Sequence, residues 1–270
     1  MKYDSTIGIL TYAKGHFLKG CLDSILSTVS DLSRNVIVVA NNSEDEEYIA
    51  EVETIVRTTK TNVTTINFRR NRGTSAAWNA IARAYDAQHI AIFNDDILVW
   101  PGWNEAMRVT LANPAVGVAG LIAYHGWSEW DRRNTRSAED ALQQLTRGHL
   151  IYPPGSCLLF RQAIFQEVGG FDEGLWTGFE EVDFSMRAME LGYSNVQVGV
   201  VGDDYRFVSH YGSGTTFNWE NAAVEIRKHN SPIDVHFEQK WGFAFPLTEE
   251  QQQRLRERRD QKARERGFSL

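Results

Sequence analysis

The chain has 270 residues, which is long enough to bury a full core and fits one large α/β domain or one domain with an appendage. Its net charge of -7 disfavours a general nucleic-acid binder, because phosphate backbones are bound by clustered Lys and Arg. No apolar stretch approaches a membrane span and no secretory signal is recognisable, so we expect a cytoplasmic protein, soluble or peripherally membrane-associated. Cys21 and Cys157 lack metal-ligand spacing and are predicted to be buried free thiols.

Strand and helix patterns alternate through the first 94 residues. The predicted strands are β-branched, apolar runs at residues 5–12, 35–40, 63–68 and 89–93. Apolar residues at helical spacing predict helices at residues 18–29, 46–59 and 75–84. This alternation predicts an α/β fold with a mostly parallel sheet flanked by helices.

Polar residues follow each of the predicted strands. Thr11 and Tyr12 end the first, Asn41 follows the second, the loop at 69–73 follows the third, and Asn94 ends the fourth. Because ligands bind outside the carboxyl ends of the strands in such sheets, we expect these residues to line one edge. The arginines of the third loop and the start of the next helix favour an anion such as a diphosphate. The alternative is that these arginines form a solvated loop.

Two adjacent carboxylates, Asp95 and Asp96, stand where a buried apolar strand ends. Such a pair repels itself and loses solvation unless a positive charge lies close to it. Mg²⁺ and Mn²⁺ are commonly held by one or two carboxylates together with substrate phosphates. The pair therefore indicates a metal site, and the alternative is an acidic surface turn, since Asn and Asp favour turns.

The regular alternation stops after residue 100. Further elements are predicted as helices at 103–111 and 161–168 and strands at 116–122, 156–160 and 196–201. Between them, residues 124–147 form a polar, aromatic segment without a clear period, which is typical of a binding loop or lid. Trp127 and Trp130 in this segment suit stacking on sugar rings, although an exposed Trp equally forms half of a core contact.

A helix is predicted to begin near Phe179. Thr177 and Glu180 match a capping box, and Asp183 with Arg187 forms an i,i+4 ion pair. Glu181 has no such structural reason and is the carboxylate most free to do chemistry, although acids are common in a first helical turn.

Two later features carry further information. His210 is predicted to lie in a Gly- and Ser-rich loop that can bend around an ion, although a lone His is more often a structural residue. Beyond Thr248 the chain is almost wholly charged, which predicts an exposed helix or a frayed tail.

The order of these motifs resembles the family 2 glycosyltransferases of the GT-A (Rossmann-like) fold, over roughly residues 5–245. The matching segments are Ile9-Leu10-Thr11-Tyr12, Leu22-Asp23-Ser24-Ile25, Asn71-Arg72-Gly73 with Asn79, Asn94-Asp95-Asp96, Pro101-Gly102-Trp103, Gly169-Gly170-Phe171-Asp172-Glu173, Glu180-Glu181-Val182-Asp183 with Arg187, His210 and Lys240-Trp241-Gly242. The resemblance implies a GT-A domain at 1–245, with a nucleotide-binding half at 1–100 and an acceptor half at 101–245. A charged helical tail follows at 246–270.

The resemblance also implies transfer of a sugar from a nucleotide-diphosphate donor to an acceptor hydroxyl, with inversion and with a divalent metal. Asp96 and His210 are expected to bind Mn²⁺ or Mg²⁺, with Asp95 at the donor ribose or the metal shell. Glu181 occupies the position of the base, and Glu180 is the reserve candidate. The other expected donor contacts are Thr11, Tyr12, Asn41, Arg72, Gly73, Asn79 and Asn94, and the expected acceptor contacts are Trp127, Trp130, Trp176 and Asp183.

Two departures from the family pattern leave questions open. The family often has an acid after the second strand that contacts the nucleotide base, whereas this chain has Asn41-Asn42. A uridine nucleotide is still the favoured donor nucleotide. The base position usually holds Asp and here holds Glu. The acceptor can be a glycan, a lipid-linked sugar or a modified nucleic acid. The rival functions are a nucleotidyltransferase that makes a sugar nucleotide and a non-catalytic carbohydrate- or nucleotide-binding relative.

Overall fold

The computed structural model describes residues 2–13, 15–59, 63–125, 134, 136–202, 205–210 and 232–268. In this part of the chain the strands are β1 (Tyr3–Thr11), β2 (Asn35–Asn41), β3 (Val63–Asn67), β4 (Ala87–Asn94), β5 (Ile97–Val99), β6 (Val116–Leu121), β7 (Ala123–His125), β8 (Leu145–Leu150), β9 (Cys157–Arg161), β10 (Ser194–Val200) and β11 (Val208–His210). The helices are α1 (Gly15–Thr28), α2 (Glu46–Thr58), α3 (Thr74–Arg83), α4 (Trp103–Leu111), α5 (Ala138–Gln143), α6 (Gln162–Val168), α7 (Glu180–Glu190), α8 (Pro232–Trp241) and α9 (Glu249–Glu265).

The main sheet has eight strands in the order β3-β2-β1-β4-β9-β6-β10-β8. Its first four strands pair in parallel, as the alternating strands and helices predict, and β10 pairs in parallel with β6. Strand β9 runs antiparallel to both β4 and β6, and β8 runs antiparallel to β10 at the edge. The predicted mostly parallel α/β architecture is therefore confirmed, with antiparallel strands contributed by the second half of the chain.

Helices cover both faces of this sheet, because successive residues of a buried strand point to opposite sides. Ile7 and Phe93 pack against α1 and α4 on one face, whereas Val38 and Ile92 pack against α3, α6 and α7 on the other. This layering buries the strands from both sides, which explains why they are almost continuously apolar in sequence. Cys21 and Cys157 are buried free thiols in the first of these layers, as predicted.

A second, three-stranded sheet has the order β5-β11-β7 and lies at the end of β4. Strand β5 begins at Ile97, directly after the acidic pair, and pairs antiparallel with β11 so that Ile97 lies opposite His210. This pairing brings together two parts of the chain that are more than a hundred residues apart in sequence. It is the feature of the fold that matters most for the site.

The interpretation of residues 124–147 as an irregular loop or lid is wrong for its described C-terminal part. Helix α5 begins after Ser137, whose hydroxyl accepts the N–H of Asp140, and β8 then pairs with β10 over residues 145–150. The pattern was missed because β8 is an edge strand with little burial, so its sequence lacks the apolar run that marks the central strands. Trp127 and Trp130 lie outside the described residues.

The charged C-terminal segment forms helix α9, as predicted, and this helix is packed rather than frayed. Thr248 and Gln251 form a capping box at its start, and Leu255 and Ala263 are buried against the rest of the protein. A Cβ added to Gly192 would lie 2.8 Å from the backbone nitrogen of Ala263, so the helix approaches the loop after α7 closely. The division of the chain at residues 245 and 246 stays a prediction. None of the helices in the described residues is long and apolar enough to cross a membrane.

Candidate active site

The register of the main sheet aligns the polar residues that were predicted to share one edge. Thr11 lies opposite Asn41, Asn41 lies opposite Asn67, and Asn94 lies opposite Leu10. All four strands are parallel, so their carboxyl ends meet there, at the position where ligands bind in open α/β sheets. Thr11, Asn41 and Asn94 are thus brought together around the start of the acidic pair.

Asp95 is buried and its carboxylate is held by β1 and the residue that follows it. Thr11 donates its hydroxyl to Asp95 Oδ2 at 2.7 Å, and the backbone N–H of Tyr12 also reaches this carboxylate. Burial raises the pKa of Asp95 to about 7, and the neighbouring charge of Asp96 adds to the effect. A cation bound here would oppose both causes, so the pair has the electrostatic character of a cation site.

Asp96 is buried as well and faces the end of β11. Its Oδ1 lies 3.1 Å from His210 Nε2, and both side chains are almost fully covered. His210 is the last residue of a strand, not part of a flexible loop as the sequence suggested. The β5–β11 pairing therefore builds the contact between the two predicted metal ligands.

The arrangement fits a divalent cation that the protein holds by few of its own groups. The described residues contain no group of three or more His, Cys, Asp or Glu side chains placed to hold a metal ion. Asp96 Oδ1 and His210 Nε2 are 3.1 Å apart, so one oxygen and one nitrogen that can each bind a divalent cation lie side by side. Mg²⁺ and Mn²⁺ commonly complete such a site with water and substrate phosphates.

Amide side chains organise the loops on the far side of Thr11. Asn41 Oδ1 accepts the N–H of Ser43 at 3.1 Å, and its Nδ2 donates to Asn67 Oδ1 at 3.2 Å. Asn42 Oδ1 accepts the N–H of Arg72 at 2.8 Å, and its Nδ2 donates to Asn71 at 2.8 Å. The two asparagines that replace the family's acid are therefore committed to shaping the walls of this edge.

The loop before α3 joins the expected donor edge to the second half of the chain. Gly73 has a φ of 80°, and an added Cβ would lie 2.3 Å from the carbonyl oxygen of Trp176. The N–H of Thr74 donates to that same carbonyl at 2.7 Å, so it does not face a diphosphate here. Trp176, an expected acceptor contact, is half-buried against this loop. The exposed guanidinium of Arg72 lies 5.8 Å from the ring of Phe68.

Asn79, an expected donor contact, is instead buried inside α3 and ties down the loop after α6. Its Oδ1 accepts the N–H of Phe171 at 2.8 Å, and its Nδ2 donates to Phe171 O and to Glu173, both at 2.9 Å. These three hydrogen bonds explain the residue structurally. Its part in the site is to hold the loop that leads to α7.

Glu180 and Glu181 form a second acidic pair at the start of α7. The predicted capping box is wrong: Phe179, with a φ of 64°, is the N-cap, and the hydroxyl of Thr177 bonds Thr74 instead. Glu180 is buried and accepts the N–H of Gly178. Burial raises the pKa of Glu180, and the charge of Glu181 adds to the effect.

Glu181 lies against the segment that also borders the first acidic pair. A Cβ added to Gly155 would lie 3.1 Å from Glu181 Cδ, and the next residue, Ser156, accepts the N–H of Asn94 at 3.2 Å. Residues 155 and 156 therefore contact both Glu181 and Asn94, the residue before the first acidic pair. Burial raises the pKa of Glu181, a change that makes a carboxylate a better proton acceptor near neutral pH.

Asp183, an expected acceptor contact, has no exposed side-chain surface. Its predicted ion pair with Arg187 is present, with Arg187 Nε donating to Asp183 Oδ2 at 2.8 Å. Lys240 and Trp241 bind its other oxygen. In this conformation Asp183 serves the packing of α7 rather than contact with an acceptor.

Three residues near the site were missed by reasoning from the sequence. Tyr48 of α2 bonds its hydroxyl to Thr11, and Tyr152 lies close enough to Glu181 for the charge of that carboxylate to raise the pKa of the tyrosine, in addition to the effect of burial. Ser156 accepts the Asn94 N–H. Tyr48 is the one polar ring on the buried face of α2 among the described residues, which is a signal that could have found it. Tyr152 and Ser156 carry no such signal.

Solved structures with the same architecture define the class of fold. The mannosyltransferase PcManGT of Pyrobaculum calidifontis, in complex with GDP-Man and Mn²⁺, has a TM-score of 0.57 at 20% identity and covers 73% of this chain and 55% of that chain. S. aureus TarS (residues 1–349) has a TM-score of 0.60 at 14% identity, with coverage of 99% and 74%. At such identities the likeness shows the fold alone, and that fold is GT-A.

The family of the chain is shown by its sequence. Residues 6–169 match the model described as glycosyl transferase family 2, so the chain belongs to that family. It is 24% identical over 216 residues to the uncharacterized protein y4gI of Sinorhizobium fredii, covering 70% of this chain and 23% of that protein. It is 26% identical over 133 residues to the pre-mycofactocin glycosyltransferase of Mycobacterium tuberculosis, covering 45% and 27%. The chain thus spans about a quarter of the length of these curated relatives.

Proposed function

We propose that the chain is a metal-dependent, inverting glycosyltransferase that moves a sugar from a nucleoside-diphosphate donor, a UDP-sugar in the first instance, to an acceptor hydroxyl. The observation that carries this proposal is that one segment, residues 155 and 156, contacts both Glu181 of the second acidic pair and Asn94, the residue before the first. One pair has the surroundings of a cation site. The other has a half-buried carboxylate with the raised pKa of a base.

In this proposal the first pair binds the donor. Asp96 and His210 hold Mn²⁺ or Mg²⁺ with a neutral imidazole, and Asp95 stays close to the donor ribose or the metal shell. A divalent metal held there would supply positive charge for the diphosphate as it departs. Thr11 fixes the Asp95 carboxylate by its 2.7 Å hydrogen bond, so this side chain does not have to be ordered when the donor arrives.

In this proposal the second pair acts on the acceptor. Glu181 accepts the proton of the acceptor hydroxyl as the oxygen attacks the anomeric carbon from the side opposite the diphosphate. Its position at a helix N-terminus stabilises the ionised form, while burial destabilises it; the pKa is raised because burial is the larger effect. The carboxylate can therefore hold a proton transiently during turnover.

The donor base is proposed to be uracil because a relative of known structure, S. aureus TarS, is solved with UDP-GlcNAc at a TM-score of 0.60. PcManGT is solved with GDP-Man, which makes a guanine nucleotide the first alternative. The side-chain amide of Asn41 bonds Asn67 and that of Asn42 bonds Asn71, so the position after the second strand offers the base amides and not a carboxylate. A glycan, a lipid-linked sugar and a modified nucleic acid all supply the hydroxyl that the proposal requires.

A thermal-shift screen of UDP-sugars and GDP-mannose, each with and without Mn²⁺, tests the donor proposal. A ligand that binds only the native state raises the melting temperature by an amount that grows with the logarithm of its concentration relative to Kd. We expect a shift that requires both a sugar nucleotide and the metal. Free nucleoside triphosphates serve as the comparison, because preference for a triphosphate with a sugar phosphate would favour the nucleotidyltransferase. Donor binding without release of the nucleoside diphosphate in the presence of any hydroxyl acceptor would favour a non-catalytic relative.

A further inference from the structure

A network of charges joins α8 to the first turn of α7, two residues beyond Glu181. Lys240 Nζ lies 2.8 Å from Asp183 Oδ1 and 2.6 Å from Asp172 Oδ2. Trp241 Nε1 donates to Asp183 Oδ1 at 3.0 Å, and His236 Nε2 lies 3.1 Å from Asp172 Oδ2. One ammonium group thus bridges two carboxylates from different segments, in addition to the bond from the neighbouring indole.

The two carboxylates belong to the segments that fix the start of α7. Asp183 is in the first turn of this helix and has no exposed side-chain surface. Asp172 is in the loop that Asn79 of α3 holds by its hydrogen bond to Phe171. The same loop leads to Glu180 and Glu181. Burial raises the pKa of Asp172, but the hydrogen bonds from Lys240 and His236 outweigh burial and leave it well below its usual range. Asp172 is therefore held as a carboxylate, and it shares the ammonium group of Lys240 with Asp183.

A second contact from α8 acts on the residue before the acidic pair. Phe179 precedes Glu180 and has a φ of 64°, a conformation that is strained for a bulky side chain. Its ring lies 4.9 Å from that of Phe237 and 5.0 Å from that of Phe245. Phe237 is almost fully buried, so α8 supplies the packing that stabilises this strained N-cap.

We propose that α8 positions the base, with Lys240 as its principal positioning residue: by bridging Asp172 and Asp183 it fixes the first turn of α7 and hence the direction of the Glu181 carboxylate. This inference rests on the proposed role of Glu181. Lys240 itself touches neither of the reacting groups in this account. Its loss leaves two carboxylates facing each other without their shared cation, which favours their separation and a displacement of the turn between them.

The test measures donor binding, turnover and melting temperature for wild type, Lys240→Met and Lys240→Arg. Turnover is measured as the release of nucleoside diphosphate from UDP-glucose, UDP-N-acetylglucosamine or GDP-mannose in the presence of Mn²⁺. The acceptor of the sugar is water or an added glycoside. Arg187 and His236 still face the two carboxylates in the Met variant, so we expect it to fold. We expect donor affinity within about twofold of wild type and turnover lowered by about tenfold to a hundredfold, since a displacement of 1 Å in a reacting group has effects of that size.

Rescue and a matched control separate positioning from general stabilisation. Lys240→Arg keeps the charge and is expected to restore turnover to within about threefold of wild type. Arg266→Met removes another cation with the same 28% side-chain exposure, which bonds Glu167 and Tyr193 at the far end of α9. We expect it to lower the melting temperature without lowering turnover. Trp241→Phe, which removes only the Nε1–H donor to Asp183, is the milder variant and is expected to lower turnover by a smaller factor in the same direction.

Each outcome decides the inference. Unchanged turnover in Lys240→Met overturns the positioning role. So does a result in which Arg266→Met lowers both the melting temperature and the turnover by as much as Lys240→Met does. Failure of Lys240→Arg to recover turnover, together with unchanged turnover in Trp241→Phe, overturns it as well. Glu181→Gln is measured beside these variants: if it retains full turnover, the proposed function fails first. If Glu181→Gln loses turnover and Lys240→Met does not, only the present inference fails.

Discussion

The two acidic pairs, Asp95-Asp96 and Glu180-Glu181, are alike in sequence and differ in what surrounds them. The first pair follows a buried strand, and its carboxylates face a hydroxyl from β1 and an imidazole from β11. The second pair starts a helix, and its carboxylates face backbone N–H groups and the neighbouring Tyr152. Burial raises a carboxyl pKa in both pairs.

Each pair consists of neighbouring carboxylates that repel each other and have lost solvation, and the two surroundings relieve this in different ways. A pair that faces other oxygen and nitrogen ligands is relieved by a cation, which binds best when both acids are ionised. A pair that faces backbone N–H groups and a tyrosine is relieved when one member takes up a proton. The first arrangement suits a metal and a diphosphate, and the second suits proton transfer.

The largest expected effect comes from Asp96→Ala. This change removes the carboxylate that faces His210, so we expect metal-dependent binding of UDP to weaken by about a hundredfold or more. Calorimetric titration with UDP and Mn²⁺ measures it. Asp260→Ala is the control, because it removes an aspartate of α9 that pairs with Arg259 instead. Undiminished binding by the Asp96 variant would remove the metal assignment and, with it, the contrast between the two pairs.

Glu181→Gln is expected to have the largest effect on turnover, as Asp96→Ala has on donor binding. The amide keeps the size of the side chain but cannot accept a proton, and general-base catalysis is typically worth roughly 10² to 10⁴ in rate. We expect turnover to fall by about that factor while donor affinity stays near that of wild type. Single-turnover release of UDP and calorimetric titration measure the two quantities. Loss of turnover in Glu180→Gln instead, without a change in stability, would move the base by one residue.

The parallel half of the fold could be predicted from sequence because its signals are local. Strands β1 to β4 are apolar runs separated by amphipathic helices. Because these strands are parallel, their carboxyl ends place Thr11, Asn41 and Asn94 at one edge of the sheet. The contact between Asp96 and His210, which are 114 residues apart, could not be derived in this way, since it depends on the pairing of β5 with β11. A lone His in sequence does not reveal its partner.

The start of α7 shows a different limit of sequence reasoning. Thr177 and Glu180 have the right spacing for a capping box, but Thr177 is already bonded to Thr74 and the helix begins at a strained Phe179. Tertiary contacts from α3 and α8 thus override a local preference. The same applies to Asn79, whose buried hydrogen bonds to Phe171 could not be told from a ligand contact.

Gly73→Ala tests the connection between the regions that carry the two pairs. Gly73 has φ 80° and ψ 166°, and an added Cβ would clash with Trp176, whose segment leads to Glu180. We expect the free energy of unfolding to fall by about 2 to 4 kcal/mol, from backbone strain together with overpacking. Urea denaturation measures it. Gly169→Ala is the matched control: it has φ 88° and nothing within 4 Å of the added atom, so only about 1 to 2 kcal/mol of strain is expected. Equal losses in the two variants would mean that Trp176 yields freely and that the two regions are not rigidly joined.

The smallest expected effect is the pH dependence of stability in Glu180→Gln. Burial raises the pKa of Glu180 above its ordinary value of 4.5, and the charge of Glu181 adds to the effect. A raised folded-state pKa gives stability that is complete below pH of about 4.5 and is lost as the pH rises through the folded-state value. The glutamine oxygen can still accept the N–H of Gly178, but the amide does not titrate. We therefore expect little difference in melting temperature at pH 5, and a variant that is more stable than wild type by about 1 kcal/mol at pH 8. Melting curves of both proteins from pH 5 to 8 measure this difference. A difference that stays constant over this range would mean that Glu180 does not titrate between pH 5 and 8 and would contradict the prediction.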